Sequence, residues 1–395
     1  MGTVLHETSR QPMRPRIAPG SRASVAFFEL DANVGDVALK VAQAGSPARS
    51  LATGMRAVAG LAWSPSGDEV WISAIRQASD NPAIFAVGLQ GKTRLLTQGA
   101  KWLSIHDVSP TGELLVASTV SRVGIRGRLP GESESHDLSW HENSVISQMT
   151  ADGALLMMEL WAGEGRNNAI YFQRPGQGAV RLGDGNYPAL SPDGQSVVCV
   201  RRDDNSAVLQ IIPTGPGETH VFANEGLRYQ APEWFPDGTR VLFNAAKADG
   251  VYRAYTATVT GRAATPLTPP GVRAVRVSPD GKWLVASASG RAAWLQSVLS
   301  TNEQKAIPGL SGADTVLGWT SDGGALLVRT YMPAGRERVD RLSLIGGGRT
   351  ALHEIPVPEP GDVFRREFVV TDDGRAFAFS FQRDLASLYL IRGVQ

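Results

Sequence analysis

Two neighbouring pairs of titratable residues, His106–Asp107 and His141–Glu142, carry the side chains in this sequence that are best suited to acid–base or metal chemistry. An imidazole beside a carboxylate can transfer protons or bind a divalent metal ion, provided that both groups face one pocket. Neither pair has metal-ligand spacing, and no second cluster supports them. We therefore expect these four residues to be polar surface residues that hydrogen-bond within the fold, and we expect no metal site.

The sequence lacks the motifs of the common hydrolases and of kinases. His141-Glu142 and His353-Glu354 both lack the second histidine of the H-E-x-x-H zinc-protease motif, and there is no G-x-S-x-G nucleophile elbow. There is also no glycine-rich phosphate loop, no H-R-D and no D-F-G, so no protein-kinase catalytic set is present. These absences favour a protein without an active site of its own, and no cofactor is predicted.

A second set of candidate residues is defined by its position before a repeated turn. The turn is a hairpin corner of the type S-P-D-G, as at 191–194, and it recurs in nine approximate copies. Proline presets φ at the first corner, aspartate accepts bonds from nearby amides, and glycine adopts the positive φ that closes the hairpin. The aspartates therefore indicate turn chemistry rather than calcium binding. The copies lie at 18–20, 64–67, 109–112, 150–153, 191–194, 235–238, 278–281, 320–323 and 371–374.

The position two residues before each turn is expected to lie near the central channel of a closed repeat array. Polar residues at or beside this position form the candidate ligand-binding set, which comprises Arg16, His106, Asp107, Gln148, Glu233 and Arg276. Such a set could hold a small polar ligand at the channel mouth. The alternative is a water-filled funnel of side chains that satisfy one another.

The elements that must position these residues are strands. A large apolar residue precedes most turns, such as Trp63 or Trp234, and a continuous apolar run follows, such as Val241–Phe243. Strands that are apolar on both faces need to be covered on both faces. Copies that recur every ~40–45 residues provide this cover when four-stranded sheets stack around an axis, so the sequence predicts an all-β propeller with its tryptophans in the core.

We predict a single β-propeller domain over residues 1–395, with nine blades counted from the turns and an eight-blade ring as the alternative. The ninth repeat ends after three strands, whereas Thr3–Glu7 has the pattern of an isolated fourth strand. Residues 1–8 are therefore expected to close the ring as the outer strand of the last blade, and residues 9–395 to form the blade repeats.

Charge and composition narrow the range of partners. The formal net charge is +1 and the arginines are scattered, which argues against a nucleic-acid partner and against an anionic membrane surface. No apolar run is long enough for a membrane span or a signal peptide, so the sequence as given predicts a cytoplasmic protein. An excerpt from a longer membrane-anchored protein would instead be extracytoplasmic. The single cysteine, Cys199, is expected to be a small buried side chain.

The S-P-D-G turns and outer strands such as Thr93–Thr97 resemble the repeats of TolB-type, WD40-like (PD40) β-propellers over the whole chain. A narrower resemblance rests on segments in a fixed order, namely 60–65, 106–110, 137–140, 187–192, 234–238 and 387–391. Their order is similar to that of the C-terminal propeller region attached to some bacterial eukaryotic-type serine/threonine protein kinases. This resemblance implies a sensory or partner-binding region and does not imply kinase activity in this chain.

Three hypotheses for the function follow. The leading hypothesis is a non-catalytic propeller that binds a protein partner or a small polar ligand at a rim or at the channel, and that is fused to or associated with a kinase. The second is a propeller enzyme, a lyase or a hydrolase, with its site at the channel mouth near His106 and Asp107. The third is a TolB-like accessory or translocation protein. Convergence of His106, Asp107, His141 and Glu233 in one pocket would favour the enzyme.

Overall fold

The structure, a computed structural model, describes residues 4–8, 10–20, 24–31, 36–76, 82–98, 103–203, 206–223, 226–260, 264–333, 336–355 and 362–393, with only the backbone for 31, 36 and 362–366. These residues form strands and turns and contain no α-helix. No helix that could cross a membrane is found among them. The predicted all-β fold is confirmed.

The chain divides into two compact units, and each is described separately. Unit 1 comprises Met1–Ser121 and Asp384–Gln395, and unit 2 comprises Arg122–Arg383. The single domain over residues 1–395 stays a prediction. The boundary lies inside two strands of 15 residues, Leu114–Arg128 and Phe377–Ile391, so that each of these strands contributes to both units.

Unit 1 contains two four-stranded antiparallel sheets and part of a third. Apolar side chains such as Phe28, Leu39 and Leu61 fill the space between the first two sheets. The first sheet consists of β1 (Gln11–Ile17), β2 (Ser24–Asp31), β3 (Asp36–Gln43) and β4 (Ser46–Met55). The second consists of β5 (Ala57–Trp63), β6 (Glu69–Ile75), β7 (Ala83–Gly88) and β8 (Thr93–Gln98). The third contains β9 (Leu103–Val108), residues 114–121 of β10 (Leu114–Arg128) and residues 384–391 of β32 (Phe377–Ile391).

Unit 2 contains six antiparallel sheets in the part that the structure describes. The first comprises β12 (Ser144–Met149), β13 (Leu155–Glu159), β14 (Asn168–Gln173) and residues 180–185 of β15 (Val180–Leu190). The second comprises residues 186–190 of β15, β16 (Ser196–Arg202), β17 (Ala207–Pro213) and β18 (His220–Val221). The third comprises β19 (Arg228–Trp234), β20 (Arg240–Ala246), β21 (Tyr252–Thr258) and β22 (Thr265–Pro266).

The remaining three sheets of unit 2 follow the same order. The fourth comprises β23 (Arg273–Val277), β24 (Trp283–Ala288), β25 (Arg291–Ser297) and β26 (Gln304–Ala306). The fifth comprises β27 (Asp314–Trp319), β28 (Ala325–Tyr331), β29 (Glu337–Ser343) and β30 (Arg349–Ile355). The sixth comprises β31 (Asp362–Val370), residues 377–383 of β32, residues 122–128 of β10 and β11 (His136–Asp137).

The first strands of these six sheets contact one another in a closed cycle. Strand β12 contacts β15, β15 contacts β19, β19 contacts β23, β23 contacts β27, β27 contacts β31, and β31 contacts β12. Unit 2 is therefore a β-propeller with its first strands innermost. Its described part forms a ring of six sheets, and the predicted count of nine or eight blades stays a prediction. The other three of the nine repeats lie in unit 1.

The repeated turns lie where the sequence places them, between the first and second strands of their sheets. In eight of them the glycine N–H donates to the carbonyl three residues earlier, as from Gly194 to Ser191 at 2.9 Å. Gly194 has a φ of +69°, and the Ser191 hydroxyl donates to Asp193 at 2.5 Å. This bond lowers the pKa of Asp193, which confirms that the aspartate is part of the turn. In the first copy, residues 21–23 lie outside the described part.

In the described part of the predicted closing strand at residues 1–8, no strand is formed. Residues 4–8 have no strand conformation, and Thr3 lies outside the described residues. His6 instead contacts Glu29 of β2, with 2.8 Å between Nε2 and Oε2. The sixth sheet of unit 2 is completed by residues 122–128 of β10 and by β11. Because β10 continues well past its hairpin, the open edge of β32 is paired by this extension.

Several buried side chains confirm the predicted core. The indole N–H of Trp63 donates to the Arg16 carbonyl at 2.9 Å, and that of Trp234 donates to the Ala189 carbonyl at 3.0 Å. These bonds join a buried tryptophan to the preceding repeat. Cys199 is fully buried, and burial raises the pKa of its thiol to about 12. The cysteine is therefore an inert core side chain, as predicted.

Candidate functional site

Each first strand of unit 2 is irregular in its pairing with the second strand. The register shifts between Ile146 and Gln148, Asn186 and Ala189, Gln230 and Glu233, Ala274 and Arg276, Val316 and Gly318, and Phe364 and Phe368. A β-bulge bends its strand and re-aims the side chain that follows it. Three candidate residues, Gln148, Glu233 and Arg276, stand directly after such a shift.

These three side chains hydrogen-bond to the neighbouring sheet. The Oε1 atom of Gln148 accepts from the Leu190 N–H at 2.9 Å. The Oε1 atom of Glu233 accepts from the Val277 N–H at 3.4 Å. Each bond joins a first strand to the next first strand along the ring. Gln148 and Glu233 therefore tie adjacent sheets of unit 2 together.

Arg276 continues this pattern and adds charge beside Glu233. Its Nε atom donates to the Leu317 carbonyl at 2.7 Å, and its Nη1 atom donates to the Val275 carbonyl at 2.8 Å. Burial raises the pKa of Glu233 to about 7, although Arg276 and the Val277 amide act in the opposite direction. This half-buried carboxyl can therefore exchange a proton near neutral pH.

The other candidate residues lie in unit 1 and are exposed. Arg16 donates from Nη1 to the Pro15 carbonyl at 3.1 Å. Asp107 accepts a bond from the Val108 N–H at 2.9 Å, and the neighbouring His106 is also exposed on β9. The structure thus divides the six candidates between the two units.

The proposed acid–base partners of His106 do not form one cluster with Glu233. His141 is exposed in the loop before β12 and packs edge-on against Tyr171, with ring centroids 5.2 Å apart. Glu142 is also exposed, whereas Glu233 lies on the first strand of the third sheet of unit 2. In the described part of the chain, no group of three His, Cys, Asp or Glu side chains could hold a metal ion.

Sequence reasoning missed a network of three asparagines in the first two sheets of unit 2. The side-chain amide of Asn186 donates to Asn167 Oδ1 at 3.0 Å, and that of Asn168 donates to Asn186 Oδ1 at 3.0 Å. Asn167 and Asn186 are buried. Buried amides with satisfied bonds make a rigid support because any displacement would leave polar groups unpaired.

This network fixes the backbone of two outward-facing residues. The Trp161 N–H donates to Asn168 Oδ1 at 3.1 Å. The Asn167 amide donates to the Arg202 carbonyl at 2.8 Å, and its Oδ1 atom accepts from the Arg202 N–H at 2.9 Å. The loop between β13 and β14 is therefore tied to the end of β16.

Trp161, Tyr187 and Arg202 form a surface that we name the Trp161 patch. Trp161 is 73% exposed and has a φ of +61°, and Tyr187 is 41% exposed and has a φ of +55°. Bulky residues rarely adopt this left-handed conformation, which stores roughly 1–3 kcal/mol and clusters at functional sites. The Arg202 guanidinium lies 5.6 Å from the centroid of the Tyr187 ring. A sequence signal existed in Tyr187-Pro188, because proline disfavours the right-handed helical conformation in the residue before it.

The chain is similar to several solved structures, although no protein-family model and no curated protein matches it. TolB from Acinetobacter baumannii is 12% identical over 86% of this chain and 77% of its own, with a TM-score of 0.40. A structure described as one of two prolyl endopeptidases is 12% identical over 93% of this chain and 54% of its own, with a TM-score of 0.38. An oligogalacturonate lyase in complex with manganese is 10% identical over 91% of this chain and 99% of its own, with a TM-score of 0.37.

Proposed function

We propose that the chain is a non-catalytic binding module whose unit 2 propeller engages a protein partner through the Trp161 patch. The observation that carries this proposal is the construction of the patch. Two exposed aromatic residues and an arginine lie over an asparagine network that hydrogen-bonds to the backbone of Trp161 and Arg202 and includes Asn186, the neighbour of Tyr187. Tryptophan, tyrosine and arginine dominate the binding energy of protein interfaces, and side chains that are already ordered lose little entropy on binding.

The channel supports this proposal less well than the patch does. In unit 2, Gln148, Glu233 and Arg276 direct their polar atoms to the backbone of the next sheet. A ligand in the channel would have to compete with these bonds. The Trp161 patch instead presents its rings to solvent, so it is the better candidate for partner binding.

The relation to a bacterial serine/threonine kinase belongs to the same proposal. A kinase sensor region needs a rigid surface that recognises a partner, and the Trp161 patch would supply one. The same surface would serve a TolB-like accessory protein. Identification of the retained partner distinguishes these two roles, because the first predicts a signalling partner and the second a component of a transport system.

An enzymatic function is the second candidate, and one observation favours it. Glu233 has a pKa of about 7 and lies beside Arg276, as a general acid or base of a lyase or hydrolase would. The test is turnover of a panel of chromogenic esters, peptides and uronate oligosaccharides by the chain and by its Glu233→Gln variant. Turnover that the variant loses would support the enzyme.

Partner retention from a native extract tests the leading proposal. The wild type, a Trp161→Ala/Tyr187→Ala variant and a Leu299→Ala/Ile345→Ala control are immobilised at equal loading. Leu299 and Ile345 are 89% and 88% exposed in unit 2 but lie outside the patch. We expect the wild type and the control to retain the same protein and the patch variant to retain at least tenfold less. Equal retention by all three, or no retained protein, would contradict the proposal.

A further inference from the structure

Among the residues that the structure describes, the arginines that border the Trp161 patch form no ion pair with a carboxylate. Arg166 lies in the same loop as Trp161, Arg228 begins β19 and Arg273 begins β23, and all three are exposed. Within the residues that the structure describes, neither these arginines nor Arg202 has a carboxylate at ion-pair distance. An exposed cation without a counter-charge is free to pair with an anionic partner.

Strand pairing places these arginines at corresponding strand ends in consecutive sheets. These strand ends together form one edge of unit 2. In an antiparallel pair, the start of the first strand lies beside the end of the second. Arg228 is paired with Ala246 at the end of β20, and Arg273 is paired with Ser287 near the end of β24. Arg202 ends β16 in the sheet before them, and the first strands of these three sheets are in contact. The arginines therefore follow one edge across the second, third and fourth sheets of unit 2.

The guanidinium groups of Arg202, Arg228 and Arg273 contact aromatic rings or a backbone carbonyl. The Arg273 guanidinium lies 4.4 Å from the centroid of the Tyr252 ring, and Arg202 lies over Tyr187 in the same way. Arg228 donates from Nη2 to the Lys247 carbonyl at 3.4 Å. A guanidinium stacked on a ring keeps its in-plane N–H groups available, and these match the two oxygens of a carboxylate.

Acidic residues at this edge leave the local charge positive in the described part. Glu164 is exposed in the Trp161 loop, and Asp203 pairs with Arg201 at 3.5 Å. Asp249 accepts a bond from the Val251 N–H at 3.0 Å. The whole chain carries a net charge of only +1, so the described residues of this edge are more positive than the chain as a whole.

We propose that this surface binds an acidic peptide segment of a protein partner. In this arrangement Trp161 takes an apolar side chain of the segment, while Arg202, Arg228 and Arg273 pair with its carboxylates. The inference rests on the proposed function and adds the chemistry of the partner to it. Apolar contact beside the ion pairs distinguishes such a segment from a bare polyanion.

Peptide-display selection against the full chain tests this proposal. A random twelve-residue library is selected at 150 mM NaCl, and the enriched peptides are synthesised for affinity measurements. We expect aspartate and glutamate around at least one leucine or aromatic residue. The affinity should fall at least tenfold for Arg228→Met/Arg273→Met and for Trp161→Ala. It should stay within twofold for Arg375→Met, because Arg375 is an exposed arginine in a hairpin turn of the sixth sheet.

Each other outcome overturns the proposal. A basic or uncharged consensus, or no enrichment, contradicts an acidic partner. Acidic peptides whose affinity does not depend on Trp161 would indicate a bare polyanion site. If the patch variant loses its extract partner while the selection gives non-acidic peptides, the partner chemistry is wrong and the proposed function stands.

Discussion

Two groups of polar side chains in unit 2 differ in where their bonds go. Gln148, Glu233 and Arg276 follow bulges on the innermost strands and bond to the next sheet. In the Trp161 patch, by contrast, the asparagine network bonds to the backbone, and Trp161 and Tyr187 are exposed to solvent. The first group maintains the ring, and the second presents side chains to a partner.

This difference shows that a polar side chain near the axis of the ring does not by itself indicate a ligand-binding site. A polar side chain whose donors and acceptors are satisfied by backbone contributes to stability. A strained, exposed side chain that buried groups hold in place has no structural role of its own, and strain of this kind is retained where function needs it. Substitutions in the two groups should therefore separate stability from partner binding.

The largest expected effect comes from Asn186→Leu, because it acts on the support of the patch. The substitution leaves the amides of Asn167 and Asn168 without their shared partner. We expect a loss of about 3 kcal/mol of unfolding free energy, measured by urea denaturation, together with loss of partner retention. Asn302→Ala, at an exposed asparagine, should change neither quantity.

Arg276→Met should destabilise the ring without affecting the partner. The variant loses the bonds to the Leu317 and Val275 carbonyls, for which about 2 kcal/mol is expected in the same urea measurement. Retention of the extract partner should remain within twofold of wild type. A variant that is stable but fails to retain the partner would place Arg276 in the binding surface instead.

Glu233 should give the stability a pH dependence. Its pKa is raised from 4.5 to about 7, so the protonated form is favoured in the folded state. The stabilisation is complete below pH 4.5 and is lost as the pH rises to about 7. The urea midpoint of the wild type should therefore fall relative to that of Glu233→Gln between pH 5 and pH 8. For Asn302→Ala, which removes no titratable group, the difference from wild type should stay constant.

The smallest effect on stability is expected for Trp161→Gly. Glycine adopts a φ of +61° without strain, which offsets its greater backbone entropy in the unfolded chain. The urea midpoint should equal or slightly exceed that of wild type, while partner retention is lost. A clear drop in the midpoint would show that the tryptophan serves the fold.

Local chemistry explains which parts of the fold could be predicted. The turn at 191–194 is determined by residues adjacent in sequence, so its copies located the hairpins correctly. The closure of unit 2 depends on the pairing of β10 with β32, which are far apart in the sequence. No local pattern marks the continuation of β10 beyond residue 121, and the closing role was therefore predicted for residues 1–8, of which residues 4–8 have no strand conformation.

For the candidate site, too, only features that depend on neighbouring residues could be predicted from the sequence. Glu233 and Arg276 were placed correctly on innermost strands, because their position relative to the turn is local. Their partners, Val277 and Leu317, belong in each case to the next strand of the ring and could not be read from the turn pattern. The Trp161 loop follows no repeated turn, and its asparagine support joins three segments of the chain, so the patch became visible only in the structure.

Site-specific photocrosslinking tests the central claim most directly. A photoreactive phenylalanine analogue replaces Tyr187 in one variant and Leu299 in a second, and both are irradiated in native extract. Both positions are exposed, but Tyr187 alone lies in the Trp161 patch. We predict one discrete adduct from position 187 and none from position 299. An adduct from position 299 alone, or the same adduct from both positions, would contradict partner binding at the Trp161 patch.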